Sequence, residues 1–162
     1  TLIMGGGGPR LAADQAQFGT KLTARQGAQM KERMIATIPG FKELINRPET
    51  DVARTGRISL CDGTPILVPS PHMVIPYLLQ GDESRIMKYA SILLDRLIRK
   101  EKIDAGKVGD IHDEWQFVVL TAQVARFIEL ALSVFPKAGR FFQYRVPIEG
   151  DAKVGKTWAE TH

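Results

Sequence analysis

The chain has 162 residues, 44% of them apolar and 25% charged, a balance that fits one ordinary folded domain and excludes a disordered chain or two large domains. No uninterrupted apolar run approaches the ~20 residues of a membrane helix, and a single cysteine, Cys61, excludes an internal disulfide and fits a reducing compartment. A net charge of +4 and a pI near 9.3 permit a polyanionic partner without requiring one, and the three scattered histidines offer no zinc site.

The chain opens at Thr1 without a basic segment leading into an apolar one, so no signal peptide is expected; the missing Met reads as a processed, split or truncated chain. Leu2-Ile3-Met4, four glycines and Pro9 follow, a stretch not expected to form regular helix. From Phe18 a stripe of Phe18, Leu22, Met30, Met34 and Ile38 predicts a helix that Pro39-Gly40 ends. Phe41, Leu44 and Ile45 predict another short helix, stopped or kinked by Pro48.

Arg57–Leu60 and Ile66–Val68 flank Asp62-Gly63, a hairpin signal. A long amphipathic helix is expected from about Val74 to Arg99, with Leu78, Ile86, Tyr89, Leu93 and Leu97 along one side. Lys107 to Val119 reads as two short strands around the charged turn His112-Asp113-Glu114. Val124, Phe127, Ile128, Ala131, Leu132 and Phe135 give the cleanest helical stripe, and a final strand is expected over Phe141–Ile148. This order predicts an α+β fold with one antiparallel sheet covered by helices on one side.

Two adjacent carboxylates, Asp113 and Glu114, sit between apolar strand segments. A carboxylate at a strand end is a hard oxygen ligand for Mg²⁺, which takes one or two carboxylates plus substrate phosphates. On those residues alone, an ordinary exposed turn, where Asp is common, explains them better. The glycine run Gly5–Gly8 is no phosphate loop, because Pro9-Arg10 stands where Gly-Lys-Ser/Thr would be needed.

Context changes the weight of the turn. Ile111-His112-Asp113-Glu114-Trp115-Gln116-Phe117 resembles motif C of family A (DNA polymerase I-like) DNA polymerases, and Gly155-x-x-Trp158-x-x-x-His162 resembles that family's carboxy-terminal pattern. Gly56 through Asp62-Gly63 to Val68 resembles a further family segment, and Ser70-Pro71-His72 with Leu78-Leu79-Gln80 resembles its phage-type form. Thr1–Gly5 through Leu11-Ala12 is similar to the end of the nucleotide-selecting helix and the glycine turn beyond it. The resemblance thus covers the whole chain, in the family's order.

It implies an incomplete polymerase palm and fingers: residues 1–55 as the end of the fingers helices and residues 56–162 as palm, with motif C at 111–115 in a strand-turn-strand catalytic hairpin. It implies template-directed addition of dNTPs to a primer end through two Mg²⁺ ions, shared with a motif A aspartate that this sequence lacks. Asp113 matches a catalytic metal ligand, and Glu114 the adjacent, more expendable carboxylate. Gln80, of the Gln80-Gly81 pair, matches a glutamine that tests the minor groove of the new base pair; His112, His72 and Arg10 are the other DNA-binding candidates. His162 and Met4 are expected near the active site, Met4 where the family usually has tyrosine.

The implied partners are primer-template DNA, dNTPs and the amino-terminal remainder of the polymerase, in the cytoplasm of a bacterial or phage-infected cell, with no membrane. The chain alone is expected to be inactive. Several positions depart from the family pattern. Pro76 replaces an asparagine and is expected to disturb the first turn of its helix, and Thr64-Pro65 replaces a double arginine. The 41–56 segment is also a few residues longer than in cellular relatives. These departures keep open a non-catalytic DNA-binding or structural remnant as the alternative.

Overall fold

A computed structural model describes residues 7–40, 42–43 and 52–161. Met4, His162 and most of the short helix expected after Phe41 lie outside the described residues, as does the side chain of His72. The chain divides into two compact units, Thr1–Gly81 and Asp82–His162.

In the first unit, helices α1 (Gly8–Ala16) and α2 (Ala24–Thr37), joined by a short link, meet at their amino-terminal turns. The glycine-proline segment was expected to be non-helical, yet α1 begins inside it. The reason is position: Pro9 occupies the first turn, where its missing N–H costs nothing. Gly8 has a second reason to be glycine. A Cβ there would lie 2.4 Å from the Ala24 carbonyl oxygen, and one on Gly27 would lie 2.3 Å from the Gly8 carbonyl oxygen, so the two backbones touch.

The start of α2 is written in the sequence. Thr23 and Gln26 form a capping box, with Thr23 N donating to Gln26 Oε1 at 2.8 Å and Gln26 N donating to Thr23 Oγ1 at 3.3 Å. The helix therefore begins after Phe18, not at it; Phe18 lies in the turn before Thr23 and is 81% exposed. Met30 and Ile38 are exposed too, so the expected stripe is not a buried face among the described residues.

Strands β1 (Arg57–Ser59) and β2 (Pro65–Leu67) form the expected antiparallel hairpin, with Ile58 opposite Ile66. Gly63 takes a φ of +80°, and the Asp62 side chain accepts from Thr64 N at 2.9 Å, the local reasons this dipeptide makes a turn. Val52, Val68 and Val74 form the small core beneath it.

Helix α3 (Val74–Glu101) follows a 3₁₀ turn over Pro71–Met73, and the boundary between the two units falls within it. Pro76 does not disturb it. The proline sits in the first helical turn, where N–H groups have no helical acceptor.

The second unit is the larger core. Strands β3 (Ala105–Ile111) and β4 (Glu114–Val119) pair antiparallel, and helix α4 (Val124–Phe141) follows another 3₁₀ turn. Ile86, Ala90 and Leu94 of α3 meet Phe127, Leu130, Val134 and Ala138 of α4, and alternate residues of β4, Trp115, Phe117 and Val119, pack against them. Ring pairs fix the contact: Phe117 to Phe127 at 4.9 Å and Trp115 stacked on Phe135 at 5.3 Å. The buried face of α4 is thus turned slightly from the expected stripe.

At the surface of this unit the Arg126 guanidinium grips both oxygens of Glu101 at 2.7 Å and also reaches Glu129 at 2.6 Å. The hydrogen bond from Arg126 holds the Glu101 carboxyl below its ordinary range. With the folded value depressed, this contribution is present above the unfolded value and is lost as pH falls through the folded one.

The fold class is α+β, as expected. Two features differ. The strands form two separate two-stranded sheets among the described residues, not one sheet. The strand expected over Phe141–Ile148 is absent, although its residues have strong β propensity. Instead α4 ends in a Schellman turn, with Gln143 at φ 60° and Tyr144 N donating to the Gly139 carbonyl at 2.9 Å. The chain then folds back so that Ile148 lies against Gly139, where a Cβ would come within 2.9 Å of Ile148 Cγ1. Tertiary packing outweighs propensity here. A last short helix, α5 (Trp158–Thr161), holds the half-exposed Trp158.

Candidate active site

The β3–β4 hairpin presents the carboxylates. Ile111 pairs with Glu114, so the turn is only His112-Asp113. His112 adopts φ 53°, a left-handed conformation that L residues other than glycine rarely take, though His does so more often than most. Such backbone costs ~1–3 kcal/mol and gathers at functional sites.

Asp113 is exposed, and among the described residues it makes no hydrogen bond or ion pair. Glu114 opens β4, half-buried, and accepts a short hydrogen bond from the Gln116 amide. Strand alternation puts Glu114 and Gln116 on one side, and Trp115 on the other, against the core. The arrangement is a hairpin with two carboxylates at its tip, Glu114 engaged by Gln116 and Asp113 open. Among the described residues no group of three or more His, Cys, Asp or Glu side chains converges to hold a metal ion.

The other candidates fall elsewhere. Gln80 is exposed on α3, in the first unit. Its neighbour Gly81 has a packing reason: a Cβ there would sit 2.5 Å from Leu60 Cδ2, and Leu60 is itself buried at the β1–β2 turn. Arg10 is exposed on α1 with Nε 3.2 Å from Asp14 Oδ1, a contact the sequence reading missed although the i,i+4 spacing shows it. His72 lies in the Pro71–Met73 turn. The structure therefore brings His112, Asp113 and Glu114 together in one unit, with Gln80, Arg10 and His72 in the other. The hydrogen bond from Gln116 to Glu114 was not anticipated.

The fold is that of a polymerase domain: it matches the POL domain of Pol1 from M. smegmatis, in complex with DNA primer-template and dNTP, at a TM-score of 0.81 and 18% identity, over 99% of this chain and 29% of that one. No protein-family model matches the sequence. Among curated proteins, it is 32% identical over 146 residues to the DNA-directed DNA polymerase of Escherichia phage Phieco32, covering 86% of this chain and 24% of that protein. It is 21% identical over 145 residues to DNA polymerase I of Aquifex aeolicus, covering 88% and 25%, and 30% identical over 108 residues to the phage T3 polymerase, covering 62% and 15%. The chain belongs to the family A DNA polymerases, the family of DNA polymerase I and its phage counterparts. It spans about a quarter of the length of the first two of these relatives. No helix among the described residues is long and apolar enough to cross a membrane.

Proposed function

We propose that this chain supplies the motif C part of a template-directed DNA polymerase, working with polymerase sequence not contained in these 162 residues. The observation that carries the proposal is the carboxylate turn, exposed Asp113 beside half-buried Glu114, on a hairpin packed against the core. The donor set fits Mg²⁺: hard carboxylate oxygens, those of Asp113 making no hydrogen bond or ion pair among the described residues. Asp113 would hold the ion directly, and Glu114, partly committed to Gln116, would assist. A further carboxylate, from a motif A strand, would complete the site. Metal ions so held supply charge stabilisation on a transferring phosphoryl group and make a hydroxyl a better nucleophile.

The remaining residues bind and orient. His112 stands beside the carboxylates, where a ring N–H can donate to the primer end. Gln80 offers an amide to the minor groove, whose acceptors lie at similar places in every base pair, so one donor tests shape without reading sequence. Arg10, His72, Met4 and His162 belong in this reading to the surfaces that meet DNA and the incoming dNTP. The palm assignment of residues 56–162, the fingers assignment of residues 1–55 and a cytoplasmic location are parts of the same proposal.

Two outcomes are expected. The purified chain alone should not extend a primed template, because it carries neither motif A nor the basic groups that hold a triphosphate; robust extension by these 162 residues would sink the shared-site reading. In the whole polymerase, Gln80→Ala should slow extension past mismatches by about one hydrogen bond, ~0.5–1.5 kcal/mol, with the unfolding midpoint unchanged. A wild-type mismatch profile returns Gln80 to the ordinary helix surface. A non-catalytic remnant is the second reading, favoured by Thr64-Pro65 in place of two arginines.

A further inference from the structure

We infer that Lys107 is a positioning residue for the carboxylate turn: its ammonium ties the β3–β4 hairpin to α3 and so fixes where Asp113 and Glu114 stand, an inference that rests on the polymerase reading above. Lys107 Nζ donates to Ser91 Oγ of α3 at 2.6 Å and to Asp110 Oδ2 of β3 at 3.0 Å. It also stands 4.7 Å from the ring centroid of Trp115 in β4, a cation–π distance. Three elements meet on one cation. Trp115 follows Glu114 directly and stacks on Phe135 of α4, so the brace reaches the second helix as well.

Regular strand geometry does not give this contact. Residues three apart on a strand point to opposite faces, which would separate Lys107 from Asp110. The register shifts between Lys107, opposite Phe117, and Gly109, opposite Gln116, leaving Val108 as an extra residue. One extra residue moves the alternation by one position and brings Lys107 and Asp110 to the same side. Gly109 lets the strands close at that point, since a Cβ there would lie 3.2 Å from Gln116 Cβ, and Gln116 is the residue that donates to Glu114. The bulge, the lysine and the Glu114 contact are therefore one connected device.

An exposed ion pair contributes little by itself. The Lys107 side chain is 27% exposed, and its hydrogen bond to Ser91 spans 16 residues of sequence, so it restrains tertiary geometry beyond its own strand. A two-stranded ribbon has little rigidity of its own. Metal ligands at its tip need placement to within ~0.5 Å; on the β4 side Trp115 is held by stacking on Phe135, and Lys107 joins that ring to Asp110 of β3 and to Ser91 of α3.

The test is single-turnover incorporation across Mg²⁺ concentrations by the whole polymerase carrying this sequence. The set is wild type, Lys107→Met, Lys107→Arg, Ser91→Ala and Asp113→Asn. Met retains the aliphatic stem over Trp115 and removes the charge and both hydrogen bonds. Lys107→Met is expected to lower the maximal rate ~10-fold and raise the Mg²⁺ midpoint several-fold, with the Kd for primer-template unchanged. Lys107→Arg should recover most of both, and Ser91→Ala should move both slightly in the same direction. A Lys107→Met enzyme with a lowered unfolding midpoint but wild-type rate and Mg²⁺ midpoint overturns the inference. Should Lys107→Met fail to fold, Ser91→Ala decides on the same two readouts. Loss of incorporation in Asp113→Asn with wild-type behaviour in Lys107→Met removes only the Lys107 role; wild-type incorporation in Asp113→Asn removes the catalytic assignment of the turn on which that role rests.

Discussion

Replacing Asp113 with Asn in the whole polymerase is expected to lower single-turnover nucleotide incorporation by ~10²-fold or more, with primer-template affinity close to wild type. Asn keeps the shape of the side chain and removes the negative charge that a divalent ion requires. An interaction realised fully only as charge develops in the transition state is lost from turnover, not from ground-state binding. The fold should not suffer, since Asp113 is exposed and makes no hydrogen bond or ion pair among the described residues. Removing one of two adjacent carboxylates also relieves like-charge repulsion, so the metal-free protein should unfold at the same midpoint or slightly higher.

Glu114→Gln should cost visibly less activity, because Glu114 is already committed to Gln116 and a neutral amide still accepts that bond. The decisive comparison is incorporation by wild type, Asp113→Asn and Glu114→Gln at several Mg²⁺ concentrations. Near-normal incorporation by Asp113→Asn would end the catalytic assignment and leave the remnant reading.

The second large effect concerns the platform beneath the turn. Leu94 is 1% exposed and lies in the core where α3 meets α4 and the hairpin. Leu94→Ala is expected to destabilise the second unit by ~2–5 kcal/mol, the sum of lost transfer free energy and the cavity left in the core. Ile92→Ala, two residues away at 52% exposure, should change stability by less than ~0.5 kcal/mol. Urea unfolding of the chain, followed by circular dichroism, separates the two. Equal midpoints for both variants would mean that α3 does not bury the face described above.

The elements that were legible in the sequence are those whose causes are local. The α3 stripe with Pro71 before it, the Asp62-Gly63 turn and the apolar strands around His112-Asp113 all appear where their own residues put them. Thr23-x-x-Gln26 would have corrected the start of α2 from sequence alone, since a capping box is a local pattern. The candidate site was legible for the same reason: His112, Asp113 and Glu114 are consecutive, and a hairpin turn is specified by its neighbours.

Local preferences therefore account for the secondary-structure framework of the second unit up to α4 and for the place of the carboxylate turn. Folding alone made glycine necessary at position 8, because the close approach to Gly27 is between residues 19 apart in the chain. Burial also outweighs the β propensity of 142–148, which the turn after α4 folds back on Gly139 instead of leaving it to pair as a strand. Folding alone also places Lys107, whose meeting with Asp110 and Ser91 depends on a strand bulge and on a helix 16 residues earlier. Local preferences are set by neighbours in sequence; register and packing are set by residues brought together only by folding, and the support of the site belongs to the second kind.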